Sequence, residues 1–112
     1  MLVVCVDDDK LVRQVTSDMI RHLDHQVLEA PDGTSALDLI DCVSDRIDVL
    51  LTDVRMPGMN GVSLANAVRH RYPDIGIIYM TGYAGEFELS GPVLEKPCTL
   101  GDLEKVLSRA RH

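Results

Sequence analysis

Short apolar runs alternate along this chain with longer stretches in which apolar residues recur every three or four positions, and this alternation constrains the fold most. The first run, Leu2 to Val6, is rich in β-branched residues and too short for a helix, so it reads as a strand. Leu11, Val12, Val15, Met19, Ile20 and Leu23 then recur at helical spacing, with Asp9 placed to cap that helix. Gln26 to Ala30 is the second short run, and Pro31-Asp32-Gly33 marks a turn. Thr34 or Ser35 is expected to cap a helix whose apolar face is Ala36, Leu37, Leu39, Ile40 and Val43.

Ile47 to Thr52 is the third strand, apolar through its middle as in a parallel strand covered on both faces. Met56-Pro57-Gly58-Met59-Asn60-Gly61 is a loop, followed by a helix carrying Val62, Leu64, Ala65, Ala67 and Val68 that ends before Pro73. Ile75 to Met80 is the fourth strand and Pro92 to Glu95 a short fifth. Thr99 caps a last helix with Leu100, Leu103, Val106, Leu107 and Ala110 on one face, and Arg109 and Arg111 near its negative end.

Five strands in βαβ succession imply an α/β fold. They form a single doubly wound parallel sheet with right-handed crossovers and helices on both faces. The 112 residues suit one domain spanning 1–112. In such sheets ligands bind at the carboxyl ends of the strands, near the point where the strand order reverses.

Charge and cysteine usage narrow the function. The net charge of -7, with no basic run to offset it, argues against a nucleic-acid partner. It suits a metal ion or a basic partner surface, and it also serves solubility. Cys5, Cys42 and Cys98 are odd in number and lack CxxC spacing, so neither a disulfide framework nor a zinc site is expected. Cys5 reads as a small buried hydrophobe, and a reducing cytoplasm is the expected location. The apolar start lacks a basic n-region and runs into three aspartates, unlike a signal peptide. No apolar run approaches the ~20 residues that span a bilayer, so no membrane partner is expected.

The strand ends carry the chemistry. Asp7 and Asp8 follow strand one, Asp53 strand three, Thr81 strand four and Lys96 strand five. Singly, each has a plain explanation: a helix cap, a turn residue or a solvated lysine. Jointly, they bring three carboxylates, a hydroxyl and an amine to one rim. Two unit charges ~4 Å apart repel by about 4 kcal/mol at an effective dielectric near 20. The cluster therefore needs a cation or protons. A hard divalent ion suits its oxygen ligands, and such a site prepares a carboxylate to act as nucleophile toward a phosphoryl group.

These residues resemble the receiver domains of response regulators. The likeness rests on Val-Asp-Asp-Asp at 6–9, Leu-Leu-Thr-Asp-Val-Arg-Met-Pro-Gly-Met-Asn-Gly at 50–61, Met-Thr-Gly at 80–82 and Leu-Glu-Lys-Pro at 94–97, and it spans essentially the whole chain. The resemblance implies a flavodoxin-like strand order 2-1-3-4-5 and a phosphoacceptor domain of a two-component phosphorelay. Asp53 would take the phosphoryl group from a histidine kinase or phosphotransfer protein. Asp8, Asp53 and the backbone carbonyl of Arg55 would bind Mg²⁺ or Mn²⁺, with Asp7 acting through water. Thr81 would be the switch hydroxyl and Lys96 the partner of a phosphoryl oxygen, with the Lys96–Pro97 bond cis. The domain would catalyse only its own phosphorylation and dephosphorylation. It would act on a downstream protein or a fused output domain, without direct contact to nucleic acid.

Two departures from the family pattern stand out. The segment 83–91 is short and holds Gly85 and Gly91, so the fourth helix, between strands four and five, is expected to be short or absent. Val93 stands where many receivers carry a switch aromatic; Tyr79 or Tyr83 could substitute, but both are expected to pack in the core or at its rim. Tyr83, two residues beyond Thr81, also suggests the hypothesis that its ring covers the acyl phosphate and slows hydrolysis. Three rival readings remain. A pseudo-receiver would bind partners without phosphate. A small phosphatase would use Asp7 in a D-x-D motif, but Leu11 and the missing cap domain oppose it. A flavodoxin-like cofactor binder would need a phosphate-cradling loop that the three aspartates replace.

Overall fold

The computed structural model describes residues 1–82, 92–96 and 98–110. In chain order the elements are β1 (Leu2–Val6), α1 (Lys10–His22), β2 (Gln26–Ala30), α2 (Gly33–Val43) and a 3-10 turn (Ser44–Arg46). There follow β3 (Val49–Asp53), α3 (Gly61–Arg71), β4 (Gly76–Thr81), β5 (Val93–Glu95) and α4 (Leu100–Ala110). The five strands form one parallel sheet in the order β2-β1-β3-β4-β5. This is the flavodoxin-like order, with β1 hydrogen-bonded to β2 on one side and to β3 on the other.

Side chains alternate across each strand. On one face Val4, Val6, Leu50, Ile77 and Tyr79 pack with Ala36 and Ile40 of α2 and Leu64, Ala65 and Val68 of α3. On the other, Val3, Cys5, Val49, Leu51, Ile78 and Met80 pack with Ile20 of α1 and Leu103 and Leu107 of α4. The apolar middles of β1 and β3 are the consequence of cover on both faces. The chain leaves β1 toward β2 and returns past it to β3, so the carboxyl ends of β1 and β3 border the crevice where the order reverses.

Several expectations are corrected in detail. The α2 cap is Asp32, whose carboxylate accepts the Ser35 amide at 2.8 Å, not Thr34 or Ser35. Thr34 and Ser35 lie inside the first turn, and the turn residue before Gly33 is the one with extended backbone. The third strand starts at Val49 because the 3-10 turn occupies Ser44–Arg46, and it runs on to include Asp53. The fourth strand likewise includes Thr81.

The buried stripe of α1 is Thr16, Ser17 and Ile20, while Leu11 and Val15 are 70% and 52% exposed. Thr16 satisfies its hydroxyl by donating to the Val12 carbonyl, which lets a polar residue sit in the buried stripe. Asp9 and Thr99 do cap their helices, Asp9 through the Leu11 and Val12 amides and Thr99 through that of Asp102. The expectations for segment 83–91, Tyr83 and the Lys96–Pro97 bond lie outside the described residues.

Leu50 is fully buried in the α2–α3 layer. Leu50→Ala is expected to lower the unfolding free energy by about 2–5 kcal/mol. Urea denaturation followed by circular dichroism measures this.

Candidate functional site

The sheet's ladder extends past the strand ends and aligns the site. The Asp7 amide donates to Ala30 O at 3.3 Å, the Val54 amide to Met80 O at 3.1 Å and the Lys96 amide to Thr81 O at 2.9 Å. Four neighbouring strands therefore finish at one level. Asp7 and Asp8 leave β1, Asp53 ends β3, Thr81 ends β4 and Lys96 follows β5.

Asp7, Asp8 and Asp53 each place a carboxylate oxygen within 4.8 Å of the others. Asp7 is fully buried, Asp53 is 8% exposed and Asp8 is open to solvent. The Lys96 ammonium bridges the two buried members, reaching Asp7 Oδ2 at 3.0 Å and Asp53 Oδ2 at 3.1 Å. Asp7 Oδ1 accepts the Asp9 amide at 2.9 Å. Among the described residues one ammonium pairs with two of the three carboxylates, so the group of four carries two surplus negative charges when all are ionised.

The titration directions reflect this imbalance. Burial pushes the Asp53 carboxyl above its usual range; Lys96 pulls it down, and the Asp7 and Asp8 charges add to the rise. Burial disfavours the Lys96 ammonium, but its bonds to Asp7 and Asp53 outweigh that and hold it above the ordinary lysine value. The three carboxylates offer only oxygen atoms, which suit a hard divalent cation, and their mutual repulsion is what such an ion would relieve.

The loop after β3 sets Asp53. Gly58 has φ of 74°, the left-handed region that glycine enters without strain. Met56 is buried and anchors the loop, and Asn60 caps α3 by accepting the Ser63 amide at 2.9 Å. The Gly61 amide donates to Val54 O at 2.9 Å. A Cβ on Gly61 would fall 2.0 Å from the Asp53 carbonyl oxygen, so only glycine lets α3 start against the backbone of Asp53. Arg55 is exposed, and a shallow cavity lined by Asp8, Val54, Arg55, Met56, Pro57 and Asn60 opens beside the cluster.

Of the residues expected from sequence, the structure thus gathers Asp7, Asp8, Asp53 and Lys96 directly. Thr81 is buried at the adjoining strand end, and Arg55 borders the cavity at Asp8. Sequence reasoning missed Arg13. Its Nη1 donates to the Asp7 carbonyl at 2.8 Å and its Nε to Glu29 Oε1 at 3.3 Å. The available signal was its place one turn beyond the Asp9 cap, where a long side chain can fold back over the β1–α1 loop.

A family model of the response regulator receiver domain matches residues 3–108. The chain is 38% identical over 92 residues to a chemotaxis protein CheY homolog of Campylobacter jejuni, covering 80% of this chain and 70% of that one. It is 33% identical over 82 residues to the sensor kinase CckA of Brucella abortus, covering 73% of this chain but only 9% of the kinase. Its fold matches the solved structure of the response regulator protein TrrA from Thermotoga maritima in complex with Mg²⁺-BeF. The TM-score is 0.86 at 22% identity, covering 97% of each chain.

The raised Asp53 value has a consequence for stability. The folded state holds the Asp53 proton more tightly than the unfolded chain, so stability falls as pH rises from the ordinary carboxylate range through the raised value. Without divalent cations, Asp53→Asn is therefore expected to raise the urea midpoint at neutral pH, with the gain shrinking as pH is lowered below that window. Denaturation at pH 7 and at pH 4 in chelator tests this. A lower midpoint for Asp53→Asn at pH 7 would contradict it.

Proposed function

This chain belongs to the response regulator receiver domain family, and on that footing we propose that it accepts a phosphoryl group on Asp53 and thereby switches a protein-binding surface. The observation that carries the reading is the convergence of Asp7, Asp8 and Asp53 within 4.8 Å, with Lys96 bridging two of them.

Each residue has a role in this chemistry. An Asp53 carboxylate oxygen forms the new P–O bond while the donor departs with the electron pair of the bond it breaks, giving an acyl phosphate. Asp53 meets that demand because it is buried yet borders the rim at Asp8. The Lys96 ammonium, already oriented by Asp7, exchanges its contact with Asp53 for a phosphoryl oxygen as negative charge builds there. The Thr81 hydroxyl, at the end of the neighbouring strand, turns toward the phosphoryl group and carries the change to β4. Asp7, Asp8, Asp53 and the Arg55 carbonyl would hold Mg²⁺ or Mn²⁺, which when bound neutralises carboxylate charge and orients a phosphoryl oxygen. The residues fit that ion because they supply only oxygen ligands and excess negative charge.

The donor in this reading is a histidine kinase or phosphotransfer protein, and the recipient of the signal is a downstream protein or an output domain. Relatives that include a sensor kinase and a chemotaxis regulator support both settings. The domain does no chemistry beyond its own phosphorylation and dephosphorylation. Cys5, Cys42 and Cys98 are all unpaired, in keeping with a cytoplasmic setting, and none of the described helices is long and apolar enough to cross a membrane.

Incubation with a small phosphodonor and Mg²⁺ is expected to add one phosphoryl mass to the intact protein, and none to Asp53→Asn. An adduct that persists in Asp53→Asn would move the nucleophile elsewhere. Absence of any adduct on folded wild type would favour a phosphate-independent binding module.

A further inference from the structure

Asp7 is held at all four of its polar atoms. Its amide donates to Ala30 O, Oδ1 accepts the Asp9 amide and Oδ2 accepts Lys96. Its carbonyl oxygen accepts Arg13 Nη1 at 2.8 Å. The first three contacts belong to the sheet, the loop and the cluster. The fourth comes from a helix residue whose side chain is only 14% exposed.

The Arg13 guanidinium is itself steered. Its Nε donates to Glu29 Oε1 at 3.3 Å, and Glu29 lies on the edge strand β2, opposite Cys5 of β1 in the parallel register. Glu29 also meets Arg21 Nη2 at 3.6 Å, about two turns further along α1. Arg13 therefore ties together α1, the edge strand and the Asp7–Asp8 peptide that follows β1. Only a fork of donors does this with one side chain.

The Asp7 carbonyl belongs to the peptide that links Asp7 to Asp8. That unit is planar, so fixing the carbonyl direction fixes the Asp8 amide and the position of the Asp8 Cα. Asp8 is the exposed member of the cluster, and among the described residues no hydrogen bond reaches its carboxylate. Its aim toward Asp7 and Asp53 thus comes from the backbone that Arg13 holds.

We propose that Arg13, steered by Glu29, is a positioning residue that sets the affinity of the acidic cluster for a divalent cation by fixing the Asp7–Asp8 peptide. The proposal rests on the reading that this cluster binds Mg²⁺. Arg13 is bonded to Glu29 and the Asp7 carbonyl and is not among the groups that would hold the ion or the phosphoryl group, so its loss acts on cation affinity and leaves the chemistry at saturating cation intact.

Isothermal titration of the folded domain with MgCl₂ tests this, on wild type, Arg13→Gln, Arg13→Lys and Glu29→Gln. Arg13→Gln is expected to weaken Mg²⁺ binding about 10-fold, the low end for outer partners of metal ligands. Arg13→Lys keeps the charge but cannot serve the carbonyl and Glu29 together, so it recovers part of the affinity. Glu29→Gln weakens binding less, and adds little on top of Arg13→Gln because both act through one contact. The phosphorylation rate at saturating Mg²⁺ stays within about twofold of wild type in each, a split that a loss of general stability would not give. Wild-type affinity in folded Arg13→Gln and Arg13→Lys would overturn the proposal. A wild type that binds no Mg²⁺ would overturn the cluster reading beneath it, and the proposal with it.

Discussion

Repulsion among three carboxylates at one rim is the constraint on which the rest of the structure turns. Asp7 and Asp53 are buried together beside Asp8, and among the described residues the Lys96 ammonium is the cation bonded to them. A fold gains nothing from such an arrangement on its own, since buried like charges oppose folding. The surrounding structure must therefore over-determine it. The parallel ladder continues past the ends of β1, β3 and β5, Gly61 brings α3 against the Asp53 backbone, and Arg13 and Asp9 hold the Asp7 carbonyl and Oδ1. The two apolar layers that sandwich the sheet supply the rigidity this needs.

The same tension is what suits the site to the switching role proposed above. A site with surplus negative charge responds to a cation that enters it, and under that proposal to the change in Asp53 on becoming an acyl phosphate. Lys96 links the responses, because it bridges Asp7 and Asp53 and its own amide is bonded to the Thr81 carbonyl of β4. A shift of the Lys96 side chain is therefore felt across β4 and β5. Thr81 stands at that junction, buried and in register with Glu95.

Much of this was legible before any coordinates. The strand sequence, the doubly wound sheet and the four residues of the charged cluster follow from apolar runs that end in aspartate or lysine at one edge. Periodicity was less reliable where polarity and burial part company. Leu11 and Val15 match helical spacing yet face solvent, because Thr16 and Ser17, small enough to pack tightly, take the buried stripe. Tyr79 proved to be core, with Arg69 donating to its hydroxyl at 2.9 Å, a contact between α3 and β4 that no local pattern encodes. Arg13 was overlooked for the same reason. Its partners, a backbone carbonyl and a strand glutamate, are close only once β1, β2 and α1 are assembled.

The central claim is that the cluster's surplus charge is matched to a divalent cation. The most direct measurement is the urea unfolding free energy of the wild type across a Mg²⁺ titration at constant ionic strength. Binding to the folded state alone predicts stability that climbs with the logarithm of Mg²⁺ once the dissociation constant is passed. The gain reaches about 2.7 kcal/mol at a hundredfold excess over that constant. An unfolding free energy that stays flat across the whole Mg²⁺ titration would contradict the account.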